Sequence, residues 1–86
     1  MFSLAQNYPN PLSKSTSIEY TVPKETVVSI KVYDISGREL RSLVHENQIE
    51  GHYKIEFDRK GLSDGTYYYR MATNGYVETK KLVLRK

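Results

Sequence analysis

Four stretches of this chain alternate apolar and polar residues with a period of two, which limits the folds open to it. The stretches are residues 17–22, 26–33, 52–57 and 66–73. In the first, Ile18, Tyr20 and Val22 occupy alternate positions, so a strand would place all of them on one face. The eight tyrosines and many β-branched residues also favour strands. The pattern predicts an all-β protein whose strands each bury one face.

Polar, glycine-bearing turns separate the alternating stretches. Ser36-Gly37 is a tight-turn signal, and the Asp34 carboxylate can accept hydrogen bonds from the backbone of that turn. Asn74-Gly75 is a two-residue hairpin signal, because both residues tolerate positive φ. Strand-like runs at intervals of roughly 8–12 residues are typical of sandwiches. We therefore predict an immunoglobulin-like antiparallel β-sandwich of about seven strands.

Two stretches are less regular. Leu40 and Leu43 lie three apart, which breaks the alternation and predicts a β-bulge or a strand end near Ser42. A short helix over residues 38–44 is the alternative. Residues 76–85 end in the apolar run Leu82-Val83-Leu84, and the pattern leaves open which of these side chains face inward.

Length and composition restrict the function classes. The chain of 86 residues predicts a single domain over residues 1–86. Residues 1–12 should form an extended lead-in, because Pro9 and Pro11 lack backbone donors. Without cysteine the chain has neither disulfides nor a thiolate metal site. The net charge of +3 is too mild to predict a nucleic-acid interface, and no apolar run is long enough for a membrane helix.

No group of residues predicts catalysis or metal binding. His45 and His52 fall on different predicted segments without a third ligand, and the turn aspartates are too far apart in sequence for a calcium loop. No nucleophile elbow unites the Ser, His and Asp residues. We therefore predict that the protein is not an enzyme and has no catalytic, metal or cofactor-binding site.

Tyr67 is a structural candidate. It follows Gly65 by two positions and Leu62 by five, which matches the tyrosine corner of immunoglobulin-like sandwiches. Its hydroxyl is expected to bond to the chain upstream. The next residue, Tyr68, should lie on the opposite face of the sheet.

Basic residues gather at the C-terminus, around an apolar run. One interpretation is an edge strand protected by lysines. The functional interpretation is a strand presented to a receptor, within the last hairpin over residues 66–86. The candidate recognition residues are Lys80, Lys81, Leu82, Val83 and Leu84.

With these motifs the sequence resembles the type A C-terminal sorting domain of the type IX (Por) secretion system of certain Gram-negative bacteria. The resemblance covers residues 4–86. The residues that carry its structural motifs are Pro9, Asn10, Pro11, Asp34, Gly37, Arg38, Gly51, Tyr53, Gly65 and Tyr67. The sequence departs from the family at Leu12-Ser13-Lys14, where an aromatic residue and an Asn-Pro pair are common, and this concerns the shape of one loop.

The resemblance implies a secretion signal. Such domains lie at the C-terminus of exported cargo, and the expected partners are the fused cargo domain, the outer-membrane type IX machinery and a sortase-like peptidase. The expected location is the periplasm in transit, then the cell surface or the medium. The first residues do not have the pattern of a signal peptide, and we expect a terminal domain separated from its cargo. We expect a monomer without membrane insertion, and note that an exposed edge strand is also compatible with self-association.

Two alternatives stay open. A carbohydrate-binding module would need a flat row of exposed aromatic rings, for which Tyr68 and Tyr76 are the candidate pair. A structural or adhesive spacer would work at internal positions of a chain, whereas a sorting signal should need the C-terminus.

Overall fold

The computed structural model describes all 86 residues and contains strands but no helix. In chain order the strands are β1 (Ser3–Leu4), β2 (Ser15–Val22), β3 (Thr26–Tyr33), β4 (Glu39–Gln48), β5 (Gly51–Asp58), β6 (Gly65–Thr73) and β7 (Tyr76–Leu84). Sheet A has the order β1-β2-β5 and sheet B the order β4-β3-β6-β7, with every pairing antiparallel. The predicted all-β sandwich of about seven strands is confirmed. No helix is present that could cross a membrane.

The core lies between the two sheets and is built from the alternate positions of their strands. From β2 it takes the inward face that the sequence predicts, and Tyr20 of that face stacks on Tyr53 with the ring centroids 5.2 Å apart. Burying each large apolar side chain contributes about 1.5–3 kcal/mol. The buried apolar residues are Leu4, Leu12, Ile18, Tyr20, Val22, Val28, Ile30, Val32, Val44, Phe57, Tyr67, Tyr69, Met71, Leu82 and Leu84.

Strand β4 carries the irregularity that its two leucines predict. Ile30 pairs with Val44 but Lys31 pairs with Ser42, so Leu43 is an extra residue. A second shift, between Val32 and Tyr33 of β3, leaves out Leu40 in the same way. A strict period of two could not place both leucines on the inner face. Each bulge turns one leucine toward the apolar interior, and both leucines pack against the core. The bulge is confirmed, and the helix alternative is wrong.

The β3–β4 turn is held by a single carboxylate. Asp34 Oδ1 accepts hydrogen bonds from the backbone N–H groups of Ser36 (2.9 Å) and Arg38 (3.0 Å) and from the Ser36 hydroxyl (2.6 Å). The bond from the Ser36 side chain, followed by the one from Arg38, lowers the pKa of Asp34. Gly37 has a φ of +91°, a conformation that glycine adopts without steric cost.

The tyrosine corner is present at the start of β6. The Tyr67 hydroxyl donates a hydrogen bond to the backbone carbonyl of Ser63 at 2.7 Å. The ring of Tyr67 is buried, so this hydrogen bond gives the hydroxyl, the one polar group of the side chain, a partner other than water. Tyr68 points to the outer face of sheet B, as the alternation predicts.

Candidate recognition site

The five candidate recognition residues lie on β7, which is the edge strand of sheet B, and they do not share one environment. Leu82 and Leu84 are buried in the core, at 0% and 1% exposure. Lys80 has the same inward orientation as these leucines. Lys81 is exposed and Val83 half-buried on the outer face of the sheet. Of the five, only Lys81 and Val83 present side chains on that outer face.

The N-terminal strap, defined here as residues 5–12, lies along the C-terminal half of the β7 edge. The Val83 N–H donates to Asn10 Oδ1 at 3.0 Å, and the Leu12 N–H donates to the Val83 carbonyl at 2.9 Å. The Arg85 N–H in turn donates to the Leu12 carbonyl at 3.0 Å, which makes a parallel bridge to β7. The Leu12 side chain is fully buried. The strap therefore crosses from sheet A to sheet B and covers part of the free edge of β7.

A tyrosine of the core anchors the strap. The Tyr69 hydroxyl donates to the Ala5 carbonyl at 2.7 Å and accepts a hydrogen bond from the Asn7 N–H at 2.8 Å. Burial raises the pKa of Tyr69 to about 12, so the hydroxyl is protonated at neutral pH. The buried Asn7 N–H and the Ala5 carbonyl thus both bond to one side chain that lies 62 to 64 positions away in sequence.

A second polar contact, largely buried, joins the strap to the start of β2 at the Pro9 carbonyl. The Asn7 side-chain amide donates to the Pro9 carbonyl and to the Thr16 hydroxyl, both at 3.1 Å, and the Thr16 hydroxyl donates to the same carbonyl at 2.9 Å. Asn7 and Thr16 are each 2% exposed. The Tyr8–Pro9 and Asn10–Pro11 peptide bonds are cis. These contacts fix the shape of the segment that places Asn10 against β7.

Arg59 joins the β5–β6 loop to both ends of the chain. It is 9% exposed, and it donates to Asp64 Oδ1 at 2.6 Å and to the backbone carbonyls of Leu62 (3.1 Å) and Ser13 (3.3 Å). Asp64 also accepts a hydrogen bond from the Lys86 N–H at 3.3 Å. The hydrogen bond from Arg59 lowers the pKa of Asp64. The loop beside the tyrosine corner is thereby tied to the strap side and to the C-terminus.

The N-terminal half of β7 has a different inner face. Glu78 and Lys80 point inward and form an ion pair of 3.0 Å, and the Tyr76 hydroxyl donates a hydrogen bond to Glu78. That hydrogen bond, followed by the one from Lys80, lowers the pKa of Glu78. Phe2 stacks on Tyr76 with the ring centroids 5.0 Å apart. Inward-pointing charges on an edge strand discourage indiscriminate strand pairing.

The outer face of sheet B combines tyrosines and cations. Tyr68 lies opposite Lys81 in the β6–β7 ladder, and the Arg70 guanidinium lies 4.9 Å from the ring centroid of Tyr33. Tyr76 points to the inner face of the same sheet, so it cannot form a flat row with Tyr68. The arrangement therefore gives the carbohydrate-binding alternative no platform from this pair.

The remaining motif residues are spread over the sandwich and have structural contacts. Arg38 pairs with Asp34 at the β3–β4 turn, at 3.2 Å. Tyr53, two residues after Gly51 on β5, donates from its hydroxyl to the Ile49 carbonyl at 2.6 Å. Asp34 lines one open depression together with Tyr68 and Lys81, whereas Gly51 and Tyr53 lie on β5 of the other sheet.

A comparison with protein families matches residues 6–85 to the secretion system C-terminal sorting domain. The chain belongs to this family. Its members are sorting signals of type IX secretion rather than catalysts, and that is the function of this domain.

Among solved structures, the sorting domain is similar to part of the dimeric latent PorU from Porphyromonas gingivalis. The TM-score is 0.73 at 22% sequence identity, over 98% of this chain and 9% of that one. A likeness at this identity shows the shared fold, and the domain spans less than a tenth of the length of its neighbour. The search of curated proteins finds no match.

The anchoring roles of four residues of the sorting domain were not identified from the sequence. Asn7 and Thr16 are polar residues without a periodic signal, and the period of β6 predicts only that Tyr69 is buried. Arg59 was likewise missed, because an arginine in a polar loop is ordinarily exposed. The Asn-Tyr-Pro-Asn-Pro run was the one local signal of a special backbone in the strap.

Proposed function

We propose that the outer-membrane type IX machinery recognises this domain through the outer face of its last hairpin, β6–β7. In this proposal the domain forms a single folded unit behind its cargo, crosses the periplasm and directs the cargo to the cell surface or the medium. A sortase-like peptidase then separates the two. The domain carries no catalytic activity of its own.

The observation that supports this proposal is the position of β7. The strap clamps one half of the strand, so Lys81 and Val83 are held on a rigid outer face beside Tyr68. Aromatic residues such as Tyr68 are enriched at protein interfaces, and an exposed cation beside the ring adds charge complementarity toward an acidic partner. Because the clamp comes from the opposite end of the domain, the surface exists only in the folded state.

A fusion experiment tests the sorting role. Residues 2–86 are attached to the C-terminus of a fluorescent protein that carries a signal peptide, in a host with type IX secretion. We expect fluorescence on the surface or in the medium, and loss of that export when the translocon is disabled. Fluorescent cargo retained in the periplasm, with the domain shown to be folded, would contradict the proposal.

Lys81→Glu tests the recognition surface in the same fusion. Lys81 is exposed and has no ion-pair partner, so the free energy of unfolding should change by about 0.5 kcal/mol or less. Export should fall about tenfold, the effect of ~1.4 kcal/mol in receptor binding. Lys24→Glu, with the same charge change in the exposed β2–β3 turn, is the control. Equal export by both variants would remove Lys81 from the recognition surface.

A further inference from the structure

Part of the β7 edge has backbone groups without a partner. In an antiparallel ladder, alternate residues direct both N–H and C=O toward the same neighbour. Val83 and Arg85 direct theirs toward the strap, and the Lys81 carbonyl accepts a hydrogen bond from Gln6 at 2.7 Å. By the same alternation Val77 and Thr79 point away from β6, where sheet B has no further strand. The free section runs from Val77 to the N–H of Lys81.

We propose that this free section of β7 pairs with the same section of a second copy of the chain, antiparallel and with Thr79 opposite Thr79. Val77 of each copy then lies opposite Lys81 of the other. The two Thr79 residues exchange both of their outward backbone hydrogen bonds, and the Lys81 N–H of each copy donates to the Val77 carbonyl of the other, while the Lys81 carbonyl keeps its hydrogen bond from Gln6. The two four-stranded B sheets become one continuous sheet. The proposal concerns self-association and does not depend on how the sorting signal is recognised.

The charges on the inner face select this register. With Thr79 at the centre, Glu78 of each copy faces Lys80 of the other, and opposite charges across a strand pair are favourable. A shift of the centre to position 78 places Glu78 against Glu78. A shift to position 80 places Lys80 against Lys80, and like charges directly opposite destabilise the pair. The inward charges thus oppose the neighbouring registers and favour the centred one.

The strap and the hairpin turn limit the pairing to a short section. Beyond Lys81 the strap occupies the edge, and before Tyr76 the chain turns back at Asn74-Gly75. The free section is therefore symmetric about Thr79, as a two-fold pairing requires, and the interface closes at two copies. Its small size, well below a standard protein interface, predicts weak association that appears only at high concentration.

Sedimentation of the 86-residue chain over a concentration series up to about 1 mM tests the inference. We expect a monomer at low concentration and a dimer at the top of the series. Glu78→Lys and Lys80→Glu, each alone, place like charges opposite and should weaken association by about tenfold or more. An equimolar mixture of the two variants should associate again, because each lysine of one variant then meets a glutamate of the other. A change in the stability of either monomer cannot produce this recovery.

Thr79→Pro is the backbone control. Proline removes one outward N–H and is tolerated on a strand edge that faces solvent, so the fold should persist while association is lost. Circular dichroism checks the fold of every variant. The inference is overturned if the wild-type chain stays monomeric throughout the series. It is also overturned if the mixture fails to recover, or if association survives Thr79→Pro, since a different surface or an exchange of whole strands would then hold the dimer.

Discussion

Replacement of Leu82 by alanine is expected to lower the free energy of unfolding by about 2–5 kcal/mol. The side chain is fully buried between the sheets, so its truncation removes transfer free energy and leaves a cavity. A loss of this size is a large fraction of the roughly 5–15 kcal/mol that stabilises a typical domain. Urea denaturation followed by circular dichroism measures it, and export of the fluorescent fusion should fall because a larger fraction of the domain is unfolded.

Lys81→Ala is the matched control on the neighbouring position of β7. Its side chain lies outside the core, so the expected change is within about 0.5 kcal/mol. The comparison separates residues that a receptor could contact from residues that hold the strand in place. If Leu82→Ala were as stable as Lys81→Ala, β7 would not be the core strand that the structure describes.

Tyr69→Phe is expected to cost about 1–3 kcal/mol and to loosen the strap selectively. The substitution keeps the ring but leaves the Ala5 carbonyl and the Asn7 N–H without their partner. Hydrogen exchange should therefore accelerate at the Asn7 amide more than in the centre of β3. Tyr68→Phe, on the outer face of the adjacent position, should leave that exchange rate unchanged. An Asn7 amide equally protected in Tyr69→Phe would show that the hydroxyl does not anchor the strap.

Tyr69 also predicts that the free energy of unfolding depends on pH. Its pKa is about 12 in the folded protein against 10.0 in the absence of burial, so the folded state retains the proton longer than the unfolded chain. The resulting stabilisation is fully present below pH 10 and is lost as the pH rises to about 12. A difference of two units between the folded and unfolded pKa corresponds to about 2–3 kcal/mol in the free energy of unfolding. The free energy of unfolding should differ less between pH 9 and pH 11.5 in Tyr69→Phe than in the wild type. The rest of the difference arises from Tyr76, whose pKa burial also raises to about 12, and from Tyr20, whose pKa burial also raises.

For most strands the sequence predicts which residues face the core, because alternate residues of a strand lie on opposite faces of the sheet. The same rule located the bulge, since Leu40 and Leu43 can both reach the interior only if extra residues are inserted. It could not resolve Leu82-Val83-Leu84, where consecutive apolar residues fit either facing. Pairing with β6, in which Leu82 lies opposite Tyr67, decides that point.

The strap was predictable only in outline. Its prolines indicate an extended segment, but they say nothing about which surface it covers. The anchoring contacts join Asn7 to Tyr69 and Asn10 to Val83, residues 62 and 73 positions apart. Contacts at such separation depend on where two sheets meet, and no local pattern of residue types encodes that.

The contact between strap and β7 also sets when the domain becomes complete. A chain made from its N-terminus exposes the strap first and β7 last, and Asn10 has no Val83 to hold until the final strand has been synthesised. Contacts of such long sequence separation form late and slowly. A chain cut short before β7 would lack the clamped edge altogether. The closure of the sandwich thus marks that synthesis has passed β7, so a receptor that reads this surface would pass over products cut short before that strand without inspecting the cargo.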